Sequence, residues 1–464
     1  MNCILDTQRS RPPIRLSLAL ALLAAAGGCQ SYQPSPVDLS AHRAAFLARL
    51  PDAGEVAAMR DSLAETSRSS TPVDLTNGLS LDEAELVALV LNADLRTARL
   101  KAGVAGSSAL HAGLWDDPTI GIDLTRIIES VQNPWKLAAS IGLTIPISGR
   151  LELEKQRATL AHQATLTQVA EQEWRVRMDV RRAWLRWASS EAQLTAMREF
   201  VGRIDAVLEI VSALESAGEM ARTEARLFKI ERASRRSELA MLELETRSAL
   251  LEIRQLLGLP PASTMVLTPG GMSVGPMPAP VQQTLAERNL LIHVAQAQYE
   301  VAERELEVEV RKQYPDLGIA PGYGLDDGQD EVLLGLSIPI PVFNANRQGI
   351  AVARAQRELA RAELEQTLER VLQQIQLSTV RYEAAKEQRE LLEMELLPLV
   401  DGQYADSRKL VELGEISGLL LLESLSRQQA ANVRVIDVRR QEGLAAIELQ
   451  ALAGPERITA GAKP

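Results

Sequence analysis

The residue types that usually carry catalysis or bind metals are sparse in this sequence. Its four histidines are scattered, with no two at the spacing of metal ligands: His42, His111, His162 and His293. We find no phosphate-binding loop, no nucleophile elbow and no zinc motif. The two cysteines, Cys3 and Cys29, cannot form a thiolate cluster. We therefore predict that the protein is not an enzyme and holds no cofactor or metal.

Cys29 is the one cysteine to which the sequence assigns a chemistry. The segment 1–28 has a basic start and an apolar stretch over 16–26 that is too short to span a membrane, as in a secretory signal. It ends in small residues before Cys29, which resembles a bacterial lipoprotein processing site. We predict lipidation of Cys29, with plain cleavage near Gly28 as the alternative. Gln30, where an Asp would favour retention at the inner membrane, favours the outer membrane.

Composition and charge narrow the fold and the partners. Aromatic residues make up only 3% of the chain, and Ala, Leu, Glu, Arg and Gln dominate, as is typical of long helices and coiled coils. The net charge of −11, with Lys and Arg interleaved with Glu, argues against nucleic acid as a partner. After Cys29 no apolar run reaches the roughly 18 residues of a transmembrane helix. Any membrane crossing must therefore use strands.

The sequence contains two copies of one repeat. Residues 141–147 (IGLTIPI) are echoed at 334–340 (LGLSIPI), and Asn92 by Asn289. Gly218 and Glu219 are echoed by Gly414 and Glu415, and the LGLP at 257–260 by the AGP at 453–455. These landmarks keep the same order and nearly the same offset, which indicates an internal duplication.

The duplication defines the predicted organisation. We expect a signal peptide (1–28), an extended segment (29–79), a first repeat (80–258), a Pro/Gly linker (259–280), a second repeat (281–454) and a short tail (455–464). Each repeat comprises a first helix (81–112 and 281–312), a β-hairpin (118–147 and 315–341), a long helix (149–217 and 346–413) and a return helix (220–257 and 417–452).

Each hairpin alternates large apolar residues with small or polar ones. The second hairpin includes a predicted strand over 334–340, and polar turns are expected at 127–136 and 326–331. Strands with an apolar outer face suit a membrane β-barrel around water, whereas a single such hairpin fits a soluble hairpin on a helix equally well. Four strands cannot close a barrel, and lipid does not tolerate open edges, so several copies must join.

The long helices carry apolar residues at alternating steps of three and four, the spacing of a coiled-coil seam. The first seam runs from Leu166 to Val211 and the second from Leu364 to Leu399. The first return helix continues this spacing from Leu239 to Leu256. At 1.5 Å per residue, each long helix would extend on the order of 100 Å. The predicted class is mainly α with a small β part.

The ordered motifs resemble those of the TolC-like outer-membrane efflux family over nearly all of the mature chain. They are LSLDEA at 79–84, PDL at 315–317, GLSIPIPVF at 335–343 and the Gly414-Glu415 pair. The tract at 338–349 (IPIPVFNANRQG) is most similar to the heavy-metal branch of that family.

This resemblance implies a homotrimer in which each protomer gives four strands to one 12-stranded transmembrane β-barrel. The coiled-coil hairpins would form an α-barrel across the periplasm, below the outer-membrane lipid. The implied partners are a periplasmic adaptor (membrane fusion protein) and an inner-membrane pump of the RND type. The adaptor would dock at the helix tips, around Gly218 and Glu219 and around Gly414 and Glu415.

The resemblance also implies acidic residues just past the tip turns, a position that Glu224 and Glu423 occupy here. Three copies of one Glu in a ring would concentrate negative potential and favour cations. Arg222 and Arg408 are candidates to pair with these acids in a closed state. The alternative is that all four residues lie on ordinary solvated helix faces.

The cargo follows from the same resemblance. The tract at 338–349 favours heavy-metal cations, and drug or organic-compound efflux and a type I secretion outlet are alternatives within the fold. A periplasmic coiled-coil adaptor or a structural protein is the alternative of another class, although an adaptor would carry one helical hairpin and larger β domains.

Overall fold

A computed structural model describes residues 31–64, 73–128, 134–268, 288–326, 329–412 and 418–455. Cys29, Gly414 and Glu415 lie outside these described residues, as do most of the predicted linker and residues 281–287. The chain divides into two units, residues 1–48 and 49–464. In the first unit, helix α1 (Leu39–Leu47) is capped by the Asp38 carboxylate, which accepts from the backbone N–H groups of Ser40 and Ala41.

The elements of the second unit follow the predicted order twice. The first repeat is preceded by α2 (Ala53–Ala64) and contains α3 (Leu81–Leu91), α4 (Ala93–Leu110), β1 (Thr119–Arg126), β2 (Trp135–Ile145), α5 (Arg150–Ala217) and α6 (Arg222–Leu256). The second contains α7 (Leu290–Arg311), β3 (Leu317–Asp326), β4 (Gln329–Ser337), α8 (Arg347–Leu391), a π-helical turn (Leu392–Leu396), α9 (Leu397–Glu412) and α10 (Gly418–Ala453). The mainly helical class with a small β part is confirmed.

The first helix of the first repeat is broken, so the expected single helix over 81–112 is wrong. A capping box at Ser80 and Glu83 starts α3, as the sequence indicates. At Asn92 the backbone is extended, with φ −60° and ψ 128°, and its side chain accepts from the N–H groups of Asp94 and Leu95. Asn92 therefore ends one helix and caps the next.

Matching junctions close the two repeats. The Asn92 side-chain amide donates to the Leu256 carbonyl at 2.9 Å, and that of Asn289 donates to the Leu452 carbonyl at 2.7 Å. Gly258 and Gly454 follow these carbonyls with φ of +70° and +73°. A Cβ on Gly258 would lie 2.3 Å from the Leu91 carbonyl oxygen, and a Cβ on Gly454 would lie 2.0 Å from that of Arg288. Each return helix thus ends against the asparagine that caps α4 or α7, in a backbone conformation that favours glycine.

The four strands form one antiparallel sheet in the order β1-β2-β3-β4. The register places Ile120 opposite Ile141, Leu143 opposite Ile319, and Ile319 opposite Leu336. Because side chains alternate between faces, these pairs put the large apolar residues of all four strands on one face. Within the described residues, β1 and β4 each pair with a strand on one side only.

The strand ends differ from those predicted. β4 covers Gln329–Ser337, not 334–340. β1 ends at Arg126 as predicted, but the turns are shorter than expected because β2 starts at Trp135, β3 reaches Asp326 and β4 starts at Gln329. Pro339 lacks the N–H that would continue the β4 ladder, which accounts for the early end of the strand.

The predicted seam of α5 is confirmed by burial of most of its positions, including Val176, Val180, Trp187, Ile204 and Val211. The second seam holds from Val371 to Leu392. Beyond it the prediction is wrong, because Leu399 is exposed and Val400 is buried in its place. The π-helical turn adds one residue to the spiral and shifts the seam by one position. Pro398, which cannot donate to the helix ladder, lies directly after the first residue of α9.

Candidate functional site

Two regions of the molecule contain the predicted site residues or large exposed apolar surface: the helix tips and the sheet. The apolar face of the sheet is open to its surroundings, since Ile120, Val332 and Leu334 are 77%, 88% and 69% exposed. Apolar area of this size on a folded chain marks a contact with lipid or protein. Among the described helices, none is both long and apolar enough to cross a membrane.

The opposite face of the sheet is small and polar. The register aligns Gly, Ser, Thr and Ala positions, such as Gly121 with Ser140 and Ala320 with Gly335. Near the hairpin turns Lys136 of β2 forms an ion pair with Asp326 of β3, which ties the two hairpins together on this face. A face with these residues tolerates water, whereas the apolar face does not. The sheet therefore has one apolar face and one small, polar face.

At the first tip, Gly218 ends α5 with φ +79°, and Glu219 donates its N–H to the Leu214 carbonyl. Gly218 donates its own N–H to the Glu215 carbonyl, so the turn is a Schellman motif, which favours glycine at this position. The predicted tip position of Gly218 and Glu219 thus coincides with the reversal of the chain into α6. The equivalent residues Gly414 and Glu415 lie outside the described part.

The four candidate gating residues lie at this end of the helices, and their role stays a prediction. Glu224 is half-buried in the first turn of α6, where a carboxylate interacts favourably with the helix dipole. Glu423 is exposed on α10 and pairs with Arg427 at 2.7 Å. Arg222 lies 3.7 Å from Glu215, and Arg408 is exposed on α9.

At the first tip, the Glu215 carboxylate pairs with basic side chains at the start of α6. Lys229 donates to its carboxylate at 2.8 Å, and this hydrogen bond, together with nearby Arg222 and Arg226, lowers the pKa of Glu215 below its usual value. The sequence did not single out Glu215, because its partners come from the other arm of the hairpin.

The structure brings the two repeats together at the tips. Ile204 of α5, Phe228 of α6 and Leu425 of α10 are buried in one cluster. A Cβ on Gly418, the first residue of α10, would lie 3.4 Å from Cζ of Phe228 and 3.9 Å from Cε of Met220. The start of α10 therefore rests on the first tip.

A series of side-chain hydrogen bonds also connects the two repeats. Arg203 of α5 donates to Gln428 of α10 at 3.0 Å, and Gln428 donates to Asp401 of α9 at 2.7 Å. The Arg203 guanidinium also lies over the Tyr404 ring, 5.7 Å from its centre. Sequence reasoning missed these residues, since they are far apart in the chain and no local pattern joins them.

A buried carboxylate, Glu85, links α3 to α5 and, through Arg181, to α10. Glu85 of α3 is 2% exposed and accepts from Nε of Arg177 at 2.8 Å and from Nε of Arg181 at 2.5 Å. Arg181 also donates to Gln450 of α10 at 2.8 Å. This network joins the first repeat to the return helix of the second. Removing both arginines would leave the buried charge of Glu85 uncompensated.

The described residues contain no group of three or more His, Cys, Asp or Glu side chains arranged to hold a metal ion. Glu85 and Glu215 instead form ion pairs with arginine and lysine side chains of neighbouring helices.

Comparisons with known proteins agree with this geometry. Residues 281–455 match the family model of outer membrane efflux proteins. Among solved structures, the chain is similar to CusC, with a TM-score of 0.69 and 16% identity over 84% of this chain and 98% of CusC. It is also similar to VceC, an outer membrane protein of Vibrio cholerae, with a TM-score of 0.68 and 17% identity over 81% of this chain and 96% of VceC.

A third similar structure is the outer-membrane channel OprN, with a TM-score of 0.71 and 15% identity over 85% of this chain and 95% of OprN. Among curated proteins, no sequence matches the chain. The resemblance to TolC-like outer-membrane efflux proteins is confirmed, and the fold is that of outer-membrane channels.

Proposed function

We propose that this chain, which shares its fold with outer-membrane efflux channels, is one protomer of a passive duct that carries exported solutes across the outer membrane. The observation that carries the proposal is the sheet, with one apolar face, one small and polar face, and two strands paired on one side only. In lipid, the free backbone groups of β1 and β4 need partners. Joining β4 of one copy to β1 of the next satisfies them, and three copies give twelve strands.

A second surface supports self-association. Besides its inner seam, α6 carries an outer row at alternating steps of three and four whose members are all exposed: Leu227, Ile230, Ser234, Ser237, Met241, Leu244, Ser248 and Leu251. A complete heptad row with apolar and small residues needs a facing helix. We infer that a helix of a neighbouring protomer covers it, so that the helices form a closed tube below the barrel.

The remaining parts of the proposal follow from the family resemblance. The duct would receive its cargo from an RND-type inner-membrane pump through a periplasmic adaptor that docks at the tips, and acylated Cys29 would anchor it to the outer membrane. Heavy-metal cations are the proposed cargo, supported by the tract at 338–349. Glu224 and Glu423 would form acidic rings near the closed end of the tube.

Assembly and conductance test the duct. The mature protein, purified in detergent, is expected to have the mass of three chains and to form conducting pores in planar bilayers. A stable monomer that never conducts would exclude the duct and leave an adaptor or structural protein. Leu244→Lys, which charges the outer row of α6, should lower the trimer fraction, while Glu245→Lys on a neighbouring exposed face should not.

Ion selectivity tests the acidic rings separately. Glu224→Ala and Glu423→Ala should each reduce the preference for cations over anions, measured as the reversal potential under a salt gradient. Glu219→Ala, at the exposed turn itself, serves as the matched control. Unchanged reversal potentials in the first two variants would remove the proposed rings without affecting the duct.

A further inference from the structure

The two repeats leave the sheet in different ways, and the second leaves an apolar segment uncovered. After β2, Ile147 donates its N–H to the Ile145 carbonyl around Pro146, and after β4, Val342 donates to the Ile340 carbonyl around Pro341. Each pair of residues closes a tight turn on a proline. α5 then starts three residues after Ile147, whereas α8 starts five residues after Val342.

Residues 338–346 lie between the end of β4 and the start of α8, and we call 338–343 the exit strap. Its four large apolar residues are open: Ile338, Ile340, Val342 and Phe343 are 55%, 76%, 69% and 95% exposed. No charged residue lies between Glu331 and Arg347, so the strap continues the uncharged tract of β4. A side chain as exposed as Phe343 makes almost no contact within its own chain. Its placement must therefore be explained by something outside the chain.

The turn that follows holds the strap in one conformation. Ala345 and Asn346 have φ of +45° and +51°, a backbone region that non-glycine residues rarely adopt. Asn346 donates from Nδ2 to the Glu309 carbonyl at 2.8 Å and to the Glu309 carboxylate at 2.6 Å. Lys312 also pairs with Glu309. Phe343 is thus presented on a turn that is fixed to α7, and the exposure of its ring follows from that turn.

The height of the sheet indicates where the strap lies. β2 has 11 residues. At about 3.3 Å per residue and a tilt near 40°, a strand of this length spans roughly 25 Å, the height of the apolar band of an outer-membrane barrel. The exit strap begins where that band ends.

Other aromatic side chains gather at the same end of the sheet. Trp115 precedes β1 and Tyr314 precedes β3, and they are 64% and 57% exposed. In an antiparallel sheet these strand starts lie beside the ends of β2 and β4. Trp135 and Tyr323 lie toward the other end of the strands and are 55% and 51% exposed. Aromatic rings at both ends of an apolar band are typical of the two lipid interfaces.

We propose that the exit strap is a lipid contact: Phe343, with Ile340 and Val342, inserts into the headgroup and acyl boundary of the inner leaflet. The inference rests on the proposed duct, because it places the sheet in the bilayer. Continuity with the apolar face of the sheet favours lipid over a protein partner.

Photocrosslinking identifies what covers the strap. The full-length mature protein, with benzoylphenylalanine at position 343, is reconstituted in vesicles of phosphatidylethanolamine and phosphatidylglycerol, irradiated and analysed by intact mass. Position 332, on the apolar face, is the positive control, and position 333, on the polar face, is the negative control. We expect a one-phospholipid mass increase at 343 and 332 and none at 333.

The outcomes separate this inference from the proposed function. A lipid adduct at 332 with none at 343 overturns the strap and leaves the duct intact, and a crosslink from 343 to a second copy assigns the strap to a protein interface. No lipid adduct at either position overturns both.

A substitution gives a second readout. Phe343→Ser should lower the equilibrium constant for membrane insertion roughly tenfold, as expected for loss of a partly buried aromatic ring, and Phe343→Trp should restore it. Because the ring is exposed within its own chain, thermal stability in detergent should not change in Phe343→Ser. A parallel loss of stability in detergent would assign Phe343 a role in folding and overturn the lipid contact.

Discussion

The two repeats are alike where the chain closes on itself and unlike along their long helices. Asn92 with Gly258 and Asn289 with Gly454 form the same junction with the same partners. By contrast, α5 runs over 68 residues without interruption, while its counterpart is divided by the turn Leu392–Leu396. The difference shows that duplication preserved the contacts that fix the ends of helices. The helix between those ends could change its register without loss of the fold.

The largest expected effect comes from breaking the shared junction. Gly258→Ala and Gly454→Ala each place a Cβ against a backbone carbonyl at positive φ. We expect each to cost about 3 kcal/mol of unfolding free energy. Chemical denaturation in detergent measures the loss.

Gly202→Ala is the matched control. It lies inside α5, a Cβ there would meet nothing within 4 Å, and alanine is a better helix former, so stability should rise by about 0.5 to 1 kcal/mol. Equal losses at positions 258 and 454 would support equivalent junctions. A loss at only one of them would contradict the comparison.

The junction asparagines should show the next effect. Asn92 and Asn289 are 6% and 1% exposed. Replacing either with Ala removes a helix cap and leaves a carbonyl without its donor, at about 2 kcal/mol. Asn→Ser keeps a side-chain acceptor for the cap and loses the amide donor, so it should recover part of the loss. Denaturant midpoints for the four variants give the ranking, and an Ala variant as stable as wild type would exclude the junction as a stabilising contact.

The interruption of the second long helix can be tested through its register. Val400 is buried at 9% exposure and Leu399 is 71% exposed. In the present sequence a cysteine at 399 should react with a maleimide faster than a cysteine at 400. Pro398→Ala restores a helix N–H and should reduce or reverse this ratio, while changing stability by about 1 kcal/mol. An unchanged ratio would show that packing, and not Pro398, sets the π-helical turn.

The smallest effect concerns the charges across that turn. Glu393 is partly buried, which alone raises the pKa of its carboxyl, but hydrogen bonds from Arg439 and Arg389 hold that pKa below the usual 4.5. A lowered pKa in the folded state stabilises above pH 4.5, and the contribution is lost as the pH falls through the folded value.

Wild type should therefore lose up to about 1 kcal/mol more than Glu393→Gln between pH 5 and pH 3. Thermal midpoints across this range measure the difference. Glu423→Gln is the control, because the Glu423 and Arg427 side chains are 57% and 61% exposed and such pairs contribute little. If wild type and Glu393→Gln lose the same stability on acidification, the ion pairs of Glu393 do not stabilise the π-helical turn.

Much of this architecture can be predicted from residue order alone. Period-two alternation located all four strands, heptad spacing located the seam of α5, and the paired motifs revealed the repeat. These signals are local, because each depends on which face of a helix or strand a residue occupies. The tip at Gly218 belongs to the same class, since positive φ after a helix favours glycine.

The tertiary structure decided the features that depend on residues distant in the chain. Asn92 splits a helix because the Leu256 carbonyl is there to receive its amide, and the seam moves from Leu399 to Val400 because α10 packs against the shifted face. The pairing of β2 with β3 and the ion pairs of Arg177 and Arg181 with Glu85 are contacts of the same kind. Local periodicity determines which helices and strands form. Only packing determines which helix-end carbonyls and charged side chains come into hydrogen-bonding contact.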